Sequence, residues 1–221
     1  MIRRTATLAA LAAAILIAPA MNVLLGTTGG SAFANTQLTD NDKAALTQLN
    51  AYLNEIRNLS GEFTQTSPRG QVASGIFYIA KPGKMRFEYA PPSPLLVVSD
   101  GNWVTVKNTQ RKSDDQYPLS TTPLKLVLAD QVNLFEQAVI LNVEHTETLS
   151  AITMQEKGQL VAGQLTMVFD RANNELVQWI IVDGKGQRTS VELSNIDKTA
   201  EPNPKLFVVQ RSRAGSAGSD R

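Results

Sequence analysis

Between Gly75 and Gly101, three short runs of β-branched, aromatic and aliphatic residues are cut by Lys81-Pro82-Gly83 and by Ala90-Pro91-Pro92-Ser93-Pro94, and closed by Ser99-Asp100-Gly101. Runs of this length between Gly and Pro breakers fold as consecutive antiparallel strands with tight connections. Alternation puts Phe77 and Ile79 on the side of Gly75, while Met85, Phe87 and Tyr89 share one face and Arg86 and Glu88 take the other. One face of the sheet is therefore rich in large apolar groups and has to be covered. What covers it is the functional question.

The rest of the chain limits the answers. Arg3 and Arg4 precede an apolar run from Leu8 to Ala20, and Ala32-Phe33-Ala34 has the small-x-small form of a cleavage site. Residues 1–34 are expected to be a cleaved export signal. Pro19, Asn22 and the stretch Thr27 to Gly30 argue against a retained membrane span. Without Arg3 and Arg4, 21 basic against 20 acidic residues become 19 against 20, a net charge of −1. Such a balance offers no bulk attraction to nucleic acid or to an anionic membrane surface. The chain has no cysteine. Disulfides, thiolate metal sites, a cysteine nucleophile and a lipid-bearing cysteine at the mature N-terminus are all excluded. Residues 35–210 are long enough for one domain with a substantial core. Residues 211–221 are small and charged, and are expected to form a disordered tail.

Thr39 or Asp40 is expected to cap a helix running to about Leu59, since Ala45, Leu46, Leu49, Tyr52, Leu53, Ile56 and Leu59 recur at spacings of three and four. Lys43, Asn50, Asn54 and Arg57 fall on the remaining surface. Strand patterns follow to Tyr117, the last of them polar enough for an edge strand. Thr122 and Pro123 then open a short helix in which Leu124, Leu126, Val127 and Leu128 are apolar on nearly every side, and only Lys125 interrupts them. That helix is either sandwiched within the fold or covers a space. Gln131 to Phe135 supply a further turn. Five more strand patterns run from Val139 to Leu193, bringing the total to roughly eleven. The fold class is mainly β (α+β), and an antiparallel sheet of that size tends to curl.

Catalytic and metal-binding patterns are weak. His145 is the only histidine and lies among Glu144, Thr146 and Glu147, the setting of an exposed, solvated side chain. Asp114-Asp115 reads as a turn and not a calcium loop. No Gly-rich phosphate loop precedes a helix. No enzyme and no cofactor is expected.

With these elements placed, the chain resembles the periplasmic outer-membrane lipoprotein carrier family. The resemblance rests on Phe63-Thr64-Gln65, Gly75 to Pro82, Met85-Arg86-Phe87-Glu88-Tyr89, Pro94, Val98-Ser99-Asp100-Gly101 and Thr122-Pro123-Leu124, in that order. In the C-terminal part only Leu206-Phe207 matches, where it looks like the family's closing strand. The resemblance implies an unclosed antiparallel half-barrel covered by the N-terminal helix and a short central lid, around an apolar vacancy for the acyl chains of a lipoprotein. It makes Phe77, Ile79, Met85, Phe87, Tyr89, Leu96, Val98 and Trp103 candidates for the wall. Met85 is the best of them, because a thioether chain adapts to a ligand of variable shape. Leu124, Leu126, Val127 and Leu128 would form the lid. Lys81 stands where the family often carries an arginine that latches onto the lid's carbonyls, and a lysine latch is a point charge in place of a planar fork. The partners implied are acylated lipoproteins, an inner-membrane ATP-driven transporter and an outer-membrane receptor, with the protein a periplasmic monomer. A carrier or sensor of another lipid or of lipoprotein fragments is the alternative on the same fold.

Overall fold

The computed structural model describes residues 38–111, 113–158 and 163–209; the expected export signal and C-terminal tail lie outside them. Helix α1 (Asp40–Glu55) opens with a reciprocal capping box: the Thr39 hydroxyl accepts from the Asp42 amide, and the Asp42 carboxylate accepts from the Thr39 amide at 2.7 Å. The helix ends earlier than its apolar spacing suggests. Leu59 keeps the spacing but already belongs to β1 (Asn58–Thr66), where it is buried by alternation. A residue at i+3 that is also the inward residue of a new strand satisfies both periodicities.

Five further strands follow: β2 (Val72–Ala80), β3 (Lys84–Tyr89), β4 (Leu95–Asp100), β5 (Trp103–Asn108) and β6 (Ser113–Pro118). The second half contributes β7 (Ala138–His145), β8 (Leu149–Glu156), β9 (Gly163–Asp170), β10 (Glu175–Asp183) and β11 (Arg188–Asp197). All eleven form one antiparallel sheet in the order β6-β5-β4-β3-β2-β1-β11-β10-β9-β8-β7. Every neighbour is the next strand in the chain except at the centre, where β1 pairs with β11. The sheet is an unclosed half-barrel whose free edges are β6 and β7. One connection, 119–137, joins those edges and carries α2 (Leu124–Leu128) and α3 (Leu134–Gln137).

Directly paired residues share a face. The inner face carries Phe63, Phe77, Ile79, Met85, Phe87, Val97 and Val104 in one half and Ile152, Met154, Met167, Phe169 and Trp179 in the other. Helix α1 lies on this face, and its Tyr52 ring meets Phe169 edge-on at 5.5 Å. The outer face is mostly polar. A one-turn 3-10 helix, Pro204–Phe207, packs there against β3 and β4, where Arg86 Nη1 donates to the Leu206 carbonyl at 2.9 Å. Leu206-Phe207 is thus an outer patch and not a closing strand: β11 already fills the place beside β1.

Close approach requires glycine at Gly75 and Gly83, among others. Gly83, in the β2–β3 turn, has φ +74°, and a Cβ there would stand 2.7 Å from the Gly101 Cα. Gly75 sits where a Cβ would collide with the Glu88 backbone and meet the Phe63 ring at 2.8 Å. Gly75→Ala is therefore expected to destabilise the fold by about 2–3 kcal/mol, read as a lowered urea midpoint with the same m-value.

Candidate functional site

The wall candidates divide between the two faces. Phe77, Ile79, Met85 and Phe87 are buried on the inner face, with Tyr89 half-buried beside them. Their rings interlock: Phe63 meets Phe87 at 4.8 Å and Tyr89 at 5.0 Å, Phe77 stacks on Phe87 at 5.6 Å, and Trp179 meets Phe87 at 5.9 Å. These groups pack against one another on the inner face. Leu96, Val98 and Trp103 lie on the opposite face, paired with Glu88, Arg86 and Pro118. Leu95-Leu96-Val97-Val98 is apolar at every position, so alternation within it does not tell inside from outside. Leu95, Val97 and Val104 hold the corresponding inner positions. Val98 is buried by its neighbours on the outer face, and Trp103 remains 43% exposed there.

The cover is well defined. Leu126, Val127 and Leu128 of α2 are buried, as are Val132 and Leu134 beyond it, while Leu124 is half-buried. Three of the helix's five residues are thus buried against the fold, and Lys125 is exposed. Pro123 occupies the N-cap, and the Thr122 hydroxyl donates to the Leu119 carbonyl at 2.9 Å, so Thr122 does not cap α2. Lys125 points away from the core and donates to Glu156 Oε1 of β8 at 2.6 Å. The amide of Gly83 donates to the Leu128 carbonyl at 2.8 Å, which ties the β2–β3 turn to the end of α2.

Helix α1 holds the rest of the cover through two asparagines that helical spacing places outside its apolar stripe. Asn54 pairs with Val132 as a strand neighbour would: its Nδ2 donates to the Val132 carbonyl at 2.7 Å, and its Oδ1 accepts from the Val132 amide at 2.8 Å. One turn earlier, Asn50 Oδ1 accepts from the Leu134 amide at 2.9 Å. The available signal was two asparagines at i and i+4 in a helix, where the residue is intrinsically unfavourable.

Lys81 binds a different partner from the expected one. Its ammonium donates to the Leu53 carbonyl of α1, not to the lid. The guanidinium that reaches the lid segment is that of Arg57, which donates to both the carbonyl and the carboxylate of Asp130. Burial, reinforced by the Arg57 charge and opposed by Asp130, lowers the Lys81 pKa to about 8. His145 is also bound and not solvated: Nε2 lies 2.8 Å from Asp42 Oδ1 and Nδ1 lies 2.9 Å from Ser150 Oγ. This pair joins the start of α1 to the end of β7. The Asp42 carboxyl sits below its usual range, first through its bond with Thr39 and further through His145. Among the described residues no group of three His, Cys, Asp or Glu side chains gathers to hold a metal.

The fold class is an unclosed antiparallel half-barrel with an apolar inner face, roofed by a helix and an edge-to-edge connection. Similarity to known proteins makes the class specific. The family model described as "Outer membrane lipoprotein carrier protein LolA" matches residues 54–210, and the chain belongs to that family. Its role is that of a lipoprotein carrier of the LolA type. An outer-membrane lipoprotein carrier protein of Chromobacterium violaceum is 30% identical over 177 residues, covering 75% of this chain and 82% of that protein. One from Bordetella avium is 28% identical over 185 residues, covering 78% and 84%. A solved structure of a LolA superfamily protein from Nitrosomonas europaea is 10% identical with a TM-score of 0.42, over 75% of this chain and 98% of that one.

Two outcomes are expected. Asn54→Ala leaves the Val132 amide and carbonyl without their partner and costs about 1–3 kcal/mol. Hydrogen exchange at Val132 and Leu134 accelerates in that variant while the β9 and β10 amides stay protected. For Lys81, the folded pKa of about 8 lies below the unfolded value of 10.5. The unfolded chain therefore binds more protons between these values, and the Lys81 contribution makes stability rise with pH across that window. Lys81→Met removes the rise, read as the difference in urea midpoint between pH 7 and pH 9.5 in the two proteins.

Proposed function

We propose that the protein binds the acyl chains of lipoproteins against its inner face and carries them through the periplasm from the inner to the outer membrane. The observation that carries this reading is a large apolar sheet face whose roof shares no strand pairing with the sheet. A cover bound by a few isolated hydrogen bonds opens without breaking the ladder beneath it. Family membership supplies the cargo class.

The packed core makes the mechanism an exchange. Exposing Leu126, Val127, Leu128, Val132 and Leu134 costs about 1.5–3 kcal/mol for each side chain, or roughly 8–15 kcal/mol together as an upper bound. An acyl chain of about fifteen methylenes recovers on the order of 12 kcal/mol relative to water. The cost and the recovery are comparable, so the chain replaces the cover's contacts with the inner face. The polar pins, at about 1 kcal/mol each, then bias the balance. Loading is by an inner-membrane ATP-driven transporter acting on the open form. At the outer membrane, with or without a receptor, the bilayer takes the chains and the cover returns to its own contacts. In this reading the protein works as a carrier and not as a catalyst, and an export signal at its N-terminus brings it to the periplasm.

Purification from the periplasm followed by mass spectrometry tests the cargo. Acylated proteins are expected to copurify with the wild type, and an Asn54→Ala protein is expected to retain several-fold more of them because its closed state is weakened. Recovery of free lipids or lipoprotein fragments alone would replace this reading with that of a carrier or sensor for those molecules.

A further inference from the structure

A recess of about 370 Å³ lies where the roof meets the sheet, between the C-terminal end of α1, the start of β1, the β9–β10 turn and the segment that follows β11. Four charged side chains line it, Glu55, Arg57, Lys198 and Glu201, and all four are exposed to solvent. Asn58, Asn174 and Thr199 add uncharged hydrogen-bonding groups. The volume lies within the ~300–1,000 Å³ of small-molecule sites.

The four charges are not equally engaged. Arg57 donates to the carbonyl and the carboxylate of Asp130 in the cover. Lys198 Nζ lies 3.1 Å from Glu175 Oε1 and 5.2 Å from the centre of the Tyr52 ring. Glu55 and Glu201 have no ion-pair partner among the described residues. A simple anion here would face Glu55 and Glu201, and a simple cation would face Arg57 and Lys198. A ligand carrying both signs satisfies both pairs at once. A guanidinium matches a phosphate in particular, because its fork of N–H donors meets two oxygens together. Arg57 is also free to change partners: its side chain is 50% exposed and that of Asp130 is 62% exposed, and ion pairs so open to water are weakly held.

We infer that this recess binds a zwitterion of the phosphoethanolamine class, a phosphoester joined by a short chain to an ammonium, and that its occupation releases the Arg57 pin on the cover. The phosphate takes Arg57 and Lys198, the ammonium meets Glu55 and Glu201, and Asp130 loses its guanidinium. Lipid headgroups and their soluble glycerol esters share this chemistry. Presented at a bilayer surface, such a group makes opening of the cover coincide with arrival there. This inference rests on the carrier reading above and adds a polar site, separate from the inner face, that controls the cover.

Titration of the full-length exported protein with glycerophosphoethanolamine, followed by amide NMR, tests the site, with ethanolamine and glycerol 3-phosphate as probes of one sign each. Shifts are expected at Asn58, Asn174 and Thr199, with a Kd about tenfold below that of either single-sign probe. Glu201→Lys is expected to weaken the zwitterion about tenfold and to tighten glycerol 3-phosphate. Equal affinity for the three probes, or unchanged binding in Glu201→Lys, overturns the site. Hydrogen exchange tests the release. Saturating zwitterion is expected to speed exchange at Val132 several-fold in the wild type and less in Asp130→Ala, which has no carboxylate to lose and keeps Arg57. Binding without that acceleration overturns the release. Flotation with vesicles of phosphatidylethanolamine or of phosphatidylglycerol distinguishes the sources: capture by the first alone assigns the ligand to a bilayer, and binding of the soluble ester without capture assigns it to the free ester. Glu201 is remote from the inner face, so the Glu201→Lys protein is expected to copurify with acylated proteins as the wild type does. Failure of this inference leaves that copurification in place, whereas failure of the carrier reading removes it from both proteins.

Discussion

The inner face of the sheet cannot be left to water. Phe63, Phe77, Phe87, Met167, Phe169 and Trp179 all project from it, and their rings and side chains interlock across both halves of the half-barrel. Complete closure would hide such a face permanently, but β6 and β7 are free edges, and the chain between them has to cross the opening. The cover is a consequence of the topology. The strand pairing that starts and ends at the centre of the sheet, β1 on β11, makes the middle of the chain the segment that connects the two edges.

This arrangement separates what holds the sheet together from what holds it shut. Ladder hydrogen bonds and aromatic packing hold the sheet together, and the connection 119–137 takes no part in the strand pairing. The connection depends on its own apolar residues and on a handful of polar pins: Asn50 and Asn54 to its backbone, Gly83 to the end of α2, Lys125 to Glu156 and Arg57 to Asp130. Apolar burial contributes most to holding the cover down, and it is non-directional, so another apolar surface replaces it without loss. The weaker, directional hydrogen bonds set where the cover returns. In the proposed carrier cycle, that division is what would let the cover yield to cargo, since strand pairing would hold it closed.

Much of this is legible in the residues. The eleven strands, the central helical interruption and the polar edge strand follow from Gly and Pro punctuation and from period-2 alternation, which are local. Phe77, Ile79, Met85 and Phe87 fall to one face because Arg86 and Glu88 alternate with their neighbours. Leu96, Val98 and Trp103 mislead for the opposite reason: the run Leu95 to Val98 has no polar member, and a small outer cover at Pro204–Phe207 buries one of its outward residues as completely as the core buries its inward ones. Lys81 is recognisable as a tether, but its partner depends on the distance between α1 and the β2–β3 turn, which no spacing encodes. His145 looks solvated because its chain neighbours are polar; the group that binds it, Asp42, is 103 residues away.

The sequence by itself determined the number and order of the strands, the apolar stripe of α1, and the existence of a face that needs covering, because each follows from contacts within a few residues. Only the tertiary structure decided which way a wholly apolar strand faces and which polar side chains hold the cover. Those outcomes depend on residues distant in the chain meeting at fixed separations, and a hydrogen bond made at 2.8 Å is lost at about 4 Å.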